Sequence, residues 1–182
     1  FSIGDWVACA GVGYAVHAEI ISVPVNLVVK LKKKTNLKSA AYNTLGAIAM
    51  QGIRQADLRL GETCAVIGLG LLGQLTCLML KASGVRVIGI DVSRSAVESA
   101  KLNCTDLALE RNSIGIEGQI HQFTDGIGVD SVIIAAGTDS LDPVNFFCFI
   151  ARKKGKVIIL GAVPTGFERD PYWYRKELEL KM

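Results

Sequence analysis

Three glycines at fixed spacing, Gly68-x-Gly70-x-x-Gly73, carry the clearest chemistry in this sequence. The run Gly68-Leu69-Gly70-Leu71-Leu72-Gly73 follows an apolar stretch, Thr63 to Ile67, and opens an amphipathic one. In a strand–turn–helix setting each glycine has a task. Gly68 permits a tight turn. Gly70 has no Cβ and lets the backbone approach a pyrophosphate, while Gly73 lets the helix pack on the sheet. Free N–H groups and the positive end of the helix dipole then favour phosphate charge. Asp91 stands 21 residues after Gly70, at the end of the next apolar stretch. A carboxylate there accepts hydrogen bonds from ribose hydroxyls. It would repel a 2′-phosphate, which favours NAD over NADP. Val92 and Arg94 follow it, and the Arg94 charge pulls the other way. A glycine-rich turn in some other α/β protein is the alternative, and the flanking strand and helix patterns argue against it.

Ligands in parallel sheets lie outside the carboxyl ends of the strands. Ala136-Gly137-Thr138 follows one apolar stretch and Leu160-Gly161-Ala162-Val163-Pro164 another. Ala136, Gly137, Leu160, Gly161 and Ala162 are therefore expected to line the same cleft, although ordinary turns explain any one of them equally well. His17 and His121 are the only histidines and fall in different segments, so neither a triad nor a metal cluster is evident. Asp125, Asp139 and Asp142 read as turn and cap residues. Tyr172, Trp173 and Tyr174 read as packing or an interdomain contact rather than substrate stacking. No catalytic residue is identified.

The elements that must position these residues follow from periodicity. Residues 1–30 read as β structure, with strands at Val7 to Cys9 and Ile20 to Val29. A helix of roughly twenty residues starts near Leu37, capped by Asn36. From Thr63 the pattern alternates. Strands are expected at Thr63 to Ile67, Val85 to Ile90, around Leu107, at Val129 to Ala135 and at Lys156 to Leu160. Helices are expected at about Leu71 to Ser83, after Ser93, near Ile116 to Phe123 and from Leu141 to Ala151. Asn103 is expected to end its helix in a left-handed turn, and Asp139 or Ser140 to cap the helix at Leu141. The last residues, Glu177 to Met182, alternate like a strand cut short, and the chain reads as a fragment. Strands apolar on both faces, joined by helices, give a doubly wound parallel sheet of the Rossmann type.

Half of the 182 residues are apolar and the net charge is +3, which argues against nucleic acid as a partner. Lys32-Lys33-Lys34 reads as a solvated loop. No apolar run approaches 18 residues, so no membrane span is expected. The five cysteines form no C-x-x-C pair. They read as buried reduced thiols, pointing to the cytoplasm.

The order of these features resembles the medium-chain dehydrogenase/reductase family over nearly the whole chain. Phe1-Ser2-Ile3-Gly4-Asp5-Trp6-Val7-Ala8 resembles the "GDRV" strand of its GroES-like catalytic domain. His17-Ala18-Glu19 with Val23-Pro24 resembles its "AEY…VP" stretch, and Ala40-Ala41 begins its connecting helix. Gly61-Glu62-Thr63 with Val66 to Gly73 resembles "GExVxVxGxGxxG", and Thr124 to Asp130 resembles "TxGxGxD". The resemblance implies residues 1–35 as the end of a GroES-like β portion and 36–182 as the NAD-binding domain, truncated at its last strand. It implies hydride transfer between NAD(P)H and a carbonyl, alcohol or enone of a small-molecule substrate, and a homodimer formed through the sheet edge.

Two departures matter. Cys9 stands alone where zinc members often carry a four-cysteine lobe. The position of the last catalytic zinc ligand falls near Asn43, a poor ligand beside Cys, His or a carboxylate. Zinc is therefore not expected, although a zinc-dependent polyol- or threonine-type dehydrogenase and a non-catalytic nucleotide-sensing module remain alternatives. The tail Asp170 to Leu180 resembles two-module bacterial oxidoreductases associated with surface polysaccharide synthesis, implying a sugar or nucleotide sugar as substrate.

Overall fold

The computed structural model describes residues 1–166 and 172–182. They divide into two compact units, Phe1–Ala47 and Ile48–Met182.

In the first unit β1 (Val7–Cys9) pairs antiparallel with β2 (Val28–Lys30), Ala8 opposite Val29. The strand expected over Ile20 to Val29 is corrected, because only its last two residues enter β2. Pro24 has no N–H for a ladder. Its carbonyl instead accepts the Leu27 N–H at 2.9 Å and closes a 3-10 turn at Val25–Leu27. Asn36 caps the next helix as its residue type suggests, its Oδ1 accepting the amides of Lys38 and Ser39 at 3.0 and 3.3 Å. The single long helix is corrected to two, α1 (Leu37–Ala40) and α2 (Asn43–Ala56), and the division between units falls inside α2. Between them Tyr42 donates to Ser39 O, three residues back rather than four. That tighter, 3-10-type bond breaks the regular α-helical ladder between the two helices.

The second unit alternates strands and helices. Its order is β3 (Thr63–Ile67), α3 (Leu71–Ala82), β4 (Arg86–Asp91), α4 (Arg94–Asn103), β5 (Leu107–Glu110) and α5 (Ile116–Phe123). Then come β6 (Val129–Ile134), α6 (Asp142–Ile150), β7 (Ala151–Ile159), α7 (Tyr174–Lys176) and β8 (Glu179–Lys181). Among the described residues these strands form one parallel sheet in the order β5-β4-β3-β6-β7-β8. The direction of winding reverses between β3 and β6, which makes the topological switch point.

Both faces of the sheet are covered. Alternate strand residues feed two cores: Ala65, Ile88 and Val132 join Ile120, Phe146 and Phe147 of α5 and α6. Cys64, Val66, Val87 and Ile133 join Ala56, Leu80 and Ala100 of α2, α3 and α4. Two-sided burial is why these strands read as continuous apolar runs.

Asn103 is the last residue of α4 and is not left-handed. Its Nδ2 donates to Ser99 O at 2.8 Å, satisfying a helix-end carbonyl without a left-handed residue. At α6 the N-cap is Leu141, which offers no side-chain acceptor, rather than Asp139 or Ser140; the Ser140 hydroxyl, one residue earlier, still accepts the Asp142 N–H at 3.1 Å. β7 begins five residues before Lys156. Val129 pairs with Ala151 and Ser131 with Lys156, and the surplus residues bulge at Lys154, where φ is +59°. Asp130 holds the bulge, its carboxylate binding Arg152 Nε at 2.6 Å and accepting the Thr63 amide at 2.8 Å.

Candidate functional site

Ile67 pairs with Ile90 on one side and Ile134 on the other, so the chain leaves β3 at Gly68 in the middle of the sheet. Gly68 has φ +94°, and a Cβ there would lie 2.6 Å from Ala136 N. Both facts exclude a side chain. A Cβ on Gly73 would lie 1.8 Å from Gly68 O, so α3 can start this close to β3 only with glycine at that position. Gly70 differs from both. Its φ of −68° suits any residue, and a Cβ there would meet nothing within 4 Å. Among the described residues the protein itself does not fill the space in front of Gly70.

Gly70 caps α3 with no side-chain acceptor, and the first turn holds no acidic residue. Intrahelical bonding begins with Gln74 N–H donating to Gly70 O at 2.9 Å. The amides of Leu71, Leu72 and Gly73 precede it, as at any helix start. Together they present partial positive charge to the open space, worth about 0.3–1 kcal/mol for an exposed anion and more where water is excluded. The Leu71 side chain is exposed, whereas that of Leu69 is fully buried in the core under α3 and α4.

Asp91, at the end of β4, is tied beside this turn. Its Oδ2 accepts the Leu69 amide at 2.6 Å and its Oδ1 the Ser93 amide at 2.7 Å. Each oxygen keeps a lone pair for an outside hydroxyl donor. A cleft of about 400 Å³ runs past Gly68, Gly70, Asp91 and Val92 to Ala136 and Gly137 on the opposite wall. That volume lies within the range of small-molecule sites. The apolar Val92 side chain is 71% exposed at its rim. The fit to a dinucleotide is concrete: an uncapped helix start, an unfilled space before it, and an anchored carboxylate one strand away.

The remaining expected residues are distributed differently. Gly161 is needed for close approach, since a Cβ would lie 1.9 Å from Ala136 O. Ala162 O accepts the Thr138 amide at 2.9 Å, lacing together the loops after β6 and β7. Leu160 turns its side chain onto Gly52 of α2. Arg94 is exposed and binds Glu98 at 3.1 Å and Glu110 at 3.8 Å. His17 and His121 lie in different units. Asn43 is exposed at the start of α2. Trp173 is buried edge-on against Phe147, and Tyr172 packs on Phe149, which supports the packing reading of that cluster. Asp170 and Pro171 of the tail lie outside the described residues.

Among the cleft residues the sequence reading missed are two charged ones. Asp142, read as a cap, and Arg111, not singled out, form a two-pronged ion pair on its wall, Nε–Oδ2 2.9 Å and Nη2–Oδ1 2.7 Å. The available signal was position, because Arg111 directly follows β5. A second cleft of about 260 Å³ opens at the other ends of the strands. Four of its charges already pair, Asp130 with Arg152 at 2.6 Å and Asp57 with Lys156 at 3.4 Å. Among the described residues no three His, Cys, Asp or Glu side chains gather as for a metal. No helix among them is long and apolar enough to cross a membrane.

A family model described as zinc-binding dehydrogenase matches residues 72–180. The chain is 29% identical over 155 residues to an NAD-dependent alcohol dehydrogenase of Sulfurisphaera tokodaii, covering 83% of this chain and 44% of that protein. It is 28% identical over 141 residues to D-guloside 3-dehydrogenase of Escherichia coli, covering 75% and 39%. It thus spans less than half the length of these curated relatives. Among solved structures, 2R,3R-butanediol dehydrogenase of Bacillus subtilis superposes with a TM-score of 0.77 at 22% identity, over 89% of this chain and 47% of that one. At that identity the likeness concerns the fold.

Proposed function

Because this chain belongs to the zinc-binding dehydrogenase family, we propose that it is the cofactor-binding part of an NAD-dependent oxidoreductase that transfers hydride to or from a carbonyl or alcohol. The observation that carries this reading is the uncapped start of α3 at Gly70, with open space before it and the anchored Asp91 carboxylate beside it. On this reading the Leu71, Leu72 and Gly73 amides hold the pyrophosphate. Asp91 holds the adenosine ribose hydroxyls and disfavours a 2′-phosphate, while Arg94 is occupied by two glutamates. Ala136–Gly137 shape the wall along which the rest of the dinucleotide lies, and Ala162 braces that wall by accepting the Thr138 amide. NAD, when bound, supplies the hydride acceptor or donor. No residue of this chain is assigned the accompanying proton transfer.

Residues 1–35 belong to the catalytic domain in this proposal, and residues 36–182 to the cofactor domain. The D-guloside 3-dehydrogenase relative supports a sugar or sugar derivative as substrate. Calorimetry on the intact protein tests the cofactor assignment. NADH should bind at least tenfold tighter than NADPH, and Asp91→Ala should close most of that gap. Equal affinities in the wild type would refute it.

Zinc-independent chemistry is proposed on the donor at position 43, since an amide is a poor zinc ligand. The family description names zinc, which supports the opposite reading, a zinc-dependent dehydrogenase of the polyol or threonine type. Metal analysis of the intact protein separates them, and about one zinc per chain would overturn the first.

A further inference from the structure

Two strands from the glycine turn, the Arg111–Asp142 pair has no task in holding phosphate or ribose. Its placement suggests one. Resting on the NAD reading above, the pyrophosphate lies at the end of β3 and the ribose at Asp91, at the end of β4. The next group along the ligand is the base, and the next strand in the sheet is β5. Arg111 follows β5 directly, and its amide donates to Asp91 O at 2.8 Å, fixing the two strand ends together.

The Arg111 guanidinium lies over the Phe146 ring, 3.8 Å from its centroid. It grips both oxygens of Asp142. The Asp142 amide is held in turn by Ser140 Oγ. The carboxylate is thereby fixed in orientation while its side chain stays 47% exposed, against 22% for Arg111. Each of its oxygens keeps an unused lone pair on the cleft wall. Adenine carries an exocyclic amino donor, which a carboxylate accepts. Hypoxanthine carries a carbonyl in place of that amino group, and a carboxylate facing the C6 substituent repels it.

We propose that Asp142, positioned by Arg111, accepts the adenine amino group and makes this site selective for the adenine dinucleotide. An ion pair that merely ties α6 to β5 would not distinguish two ligands differing only at that edge of the base.

The test compares binding of NADH and reduced nicotinamide hypoxanthine dinucleotide to the intact protein, followed by nicotinamide fluorescence. The wild type should prefer NADH by about tenfold or more, the scale of one hydrogen bond to a charged group. Asp142→Asn, nearly isosteric but able to donate to a carbonyl, should bring the ratio to about one or invert it. Asp142→Ala should also lose the preference, and Arg111→Lys should keep part of it. A wild type that binds both dinucleotides equally, or an Asp142→Asn protein that keeps the wild-type ratio, overturns the inference and leaves the NAD reading standing. Failure to bind either dinucleotide sinks both.

Discussion

A methyl group at position 73 would sit 1.8 Å from a backbone carbonyl oxygen, and one at position 70 would touch nothing. The two glycines therefore answer to different forces, and single substitutions separate them. Gly73→Ala must push α3 off β3, since no flexible side chain can yield. We expect it to cost about 1–3 kcal/mol or more, read as a lower Tm, and to abolish NADH binding. Gly70→Ala has a permissive φ and free space, so stability should hold or rise by about 0.4–1 kcal/mol. NADH affinity should nevertheless fall at least tenfold. An unchanged affinity in a folded Gly70→Ala protein would show that nothing closely approaches that turn.

Among the elements, α6 depends most visibly on one outside contact. It ends at Ile150 and passes directly into β7, leaving its last carbonyls to find partners. Lys176 Nζ supplies them from α7, donating to Cys148 O and Ala151 O at 2.7 Å and to Phe149 O at 3.3 Å. Burial of the ammonium lowers its pKa, and the three acceptors take up the charge. Lys176→Met keeps the aliphatic length and removes the donor. It should destabilise the protein by about 1–3 kcal/mol in urea unfolding, the cost of leaving partly buried acceptors unpaired. A loss below about 0.5 kcal/mol would mean that water caps the helix instead.

At the scale of the whole molecule, two-sided covering of the sheet also governs the thiols. Cys64, Cys77, Cys104 and Cys148 are buried and Cys9 is partly exposed. Burial raises the pKa of all four and pushes the Cys148 thiol up to about 11 from 9.0. Iodoacetamide at neutral pH should therefore label Cys9 alone until the protein is unfolded, as read by mass spectrometry. The sign of the pH effect follows. Between pH 9 and 11 the unfolded chain releases protons that the folded chain retains, so stability falls with rising pH across that window. Replacing Cys148 with Ala should flatten part of that slope. Among the described residues β8 is the outermost strand beyond β7, with which it pairs on one side. We propose that two copies associate through its other edge, and sedimentation of the intact protein as a monomer would refute this.

Alternating apolar stretches and glycine spacing already specified the β–α order from Thr63 onward, because period and turn chemistry are local properties. They placed Gly68, Gly70 and Gly73 at the strand–helix junction and Asp91 at the end of the next strand. Local patterns failed where a single backbone bond departed from the period, as when Pro24 denied a strand its donor and the Tyr42 amide turned to Ser39 O between two helices. Which residues share a cleft was decided only in three dimensions. The sheet order sets β5 beyond β4 and folds α6 back across the same face. Only that crossover brings Arg111 to Asp142, 31 residues apart, because pairing between distant segments depends on how helices pack over a sheet and leaves no periodicity in the chain.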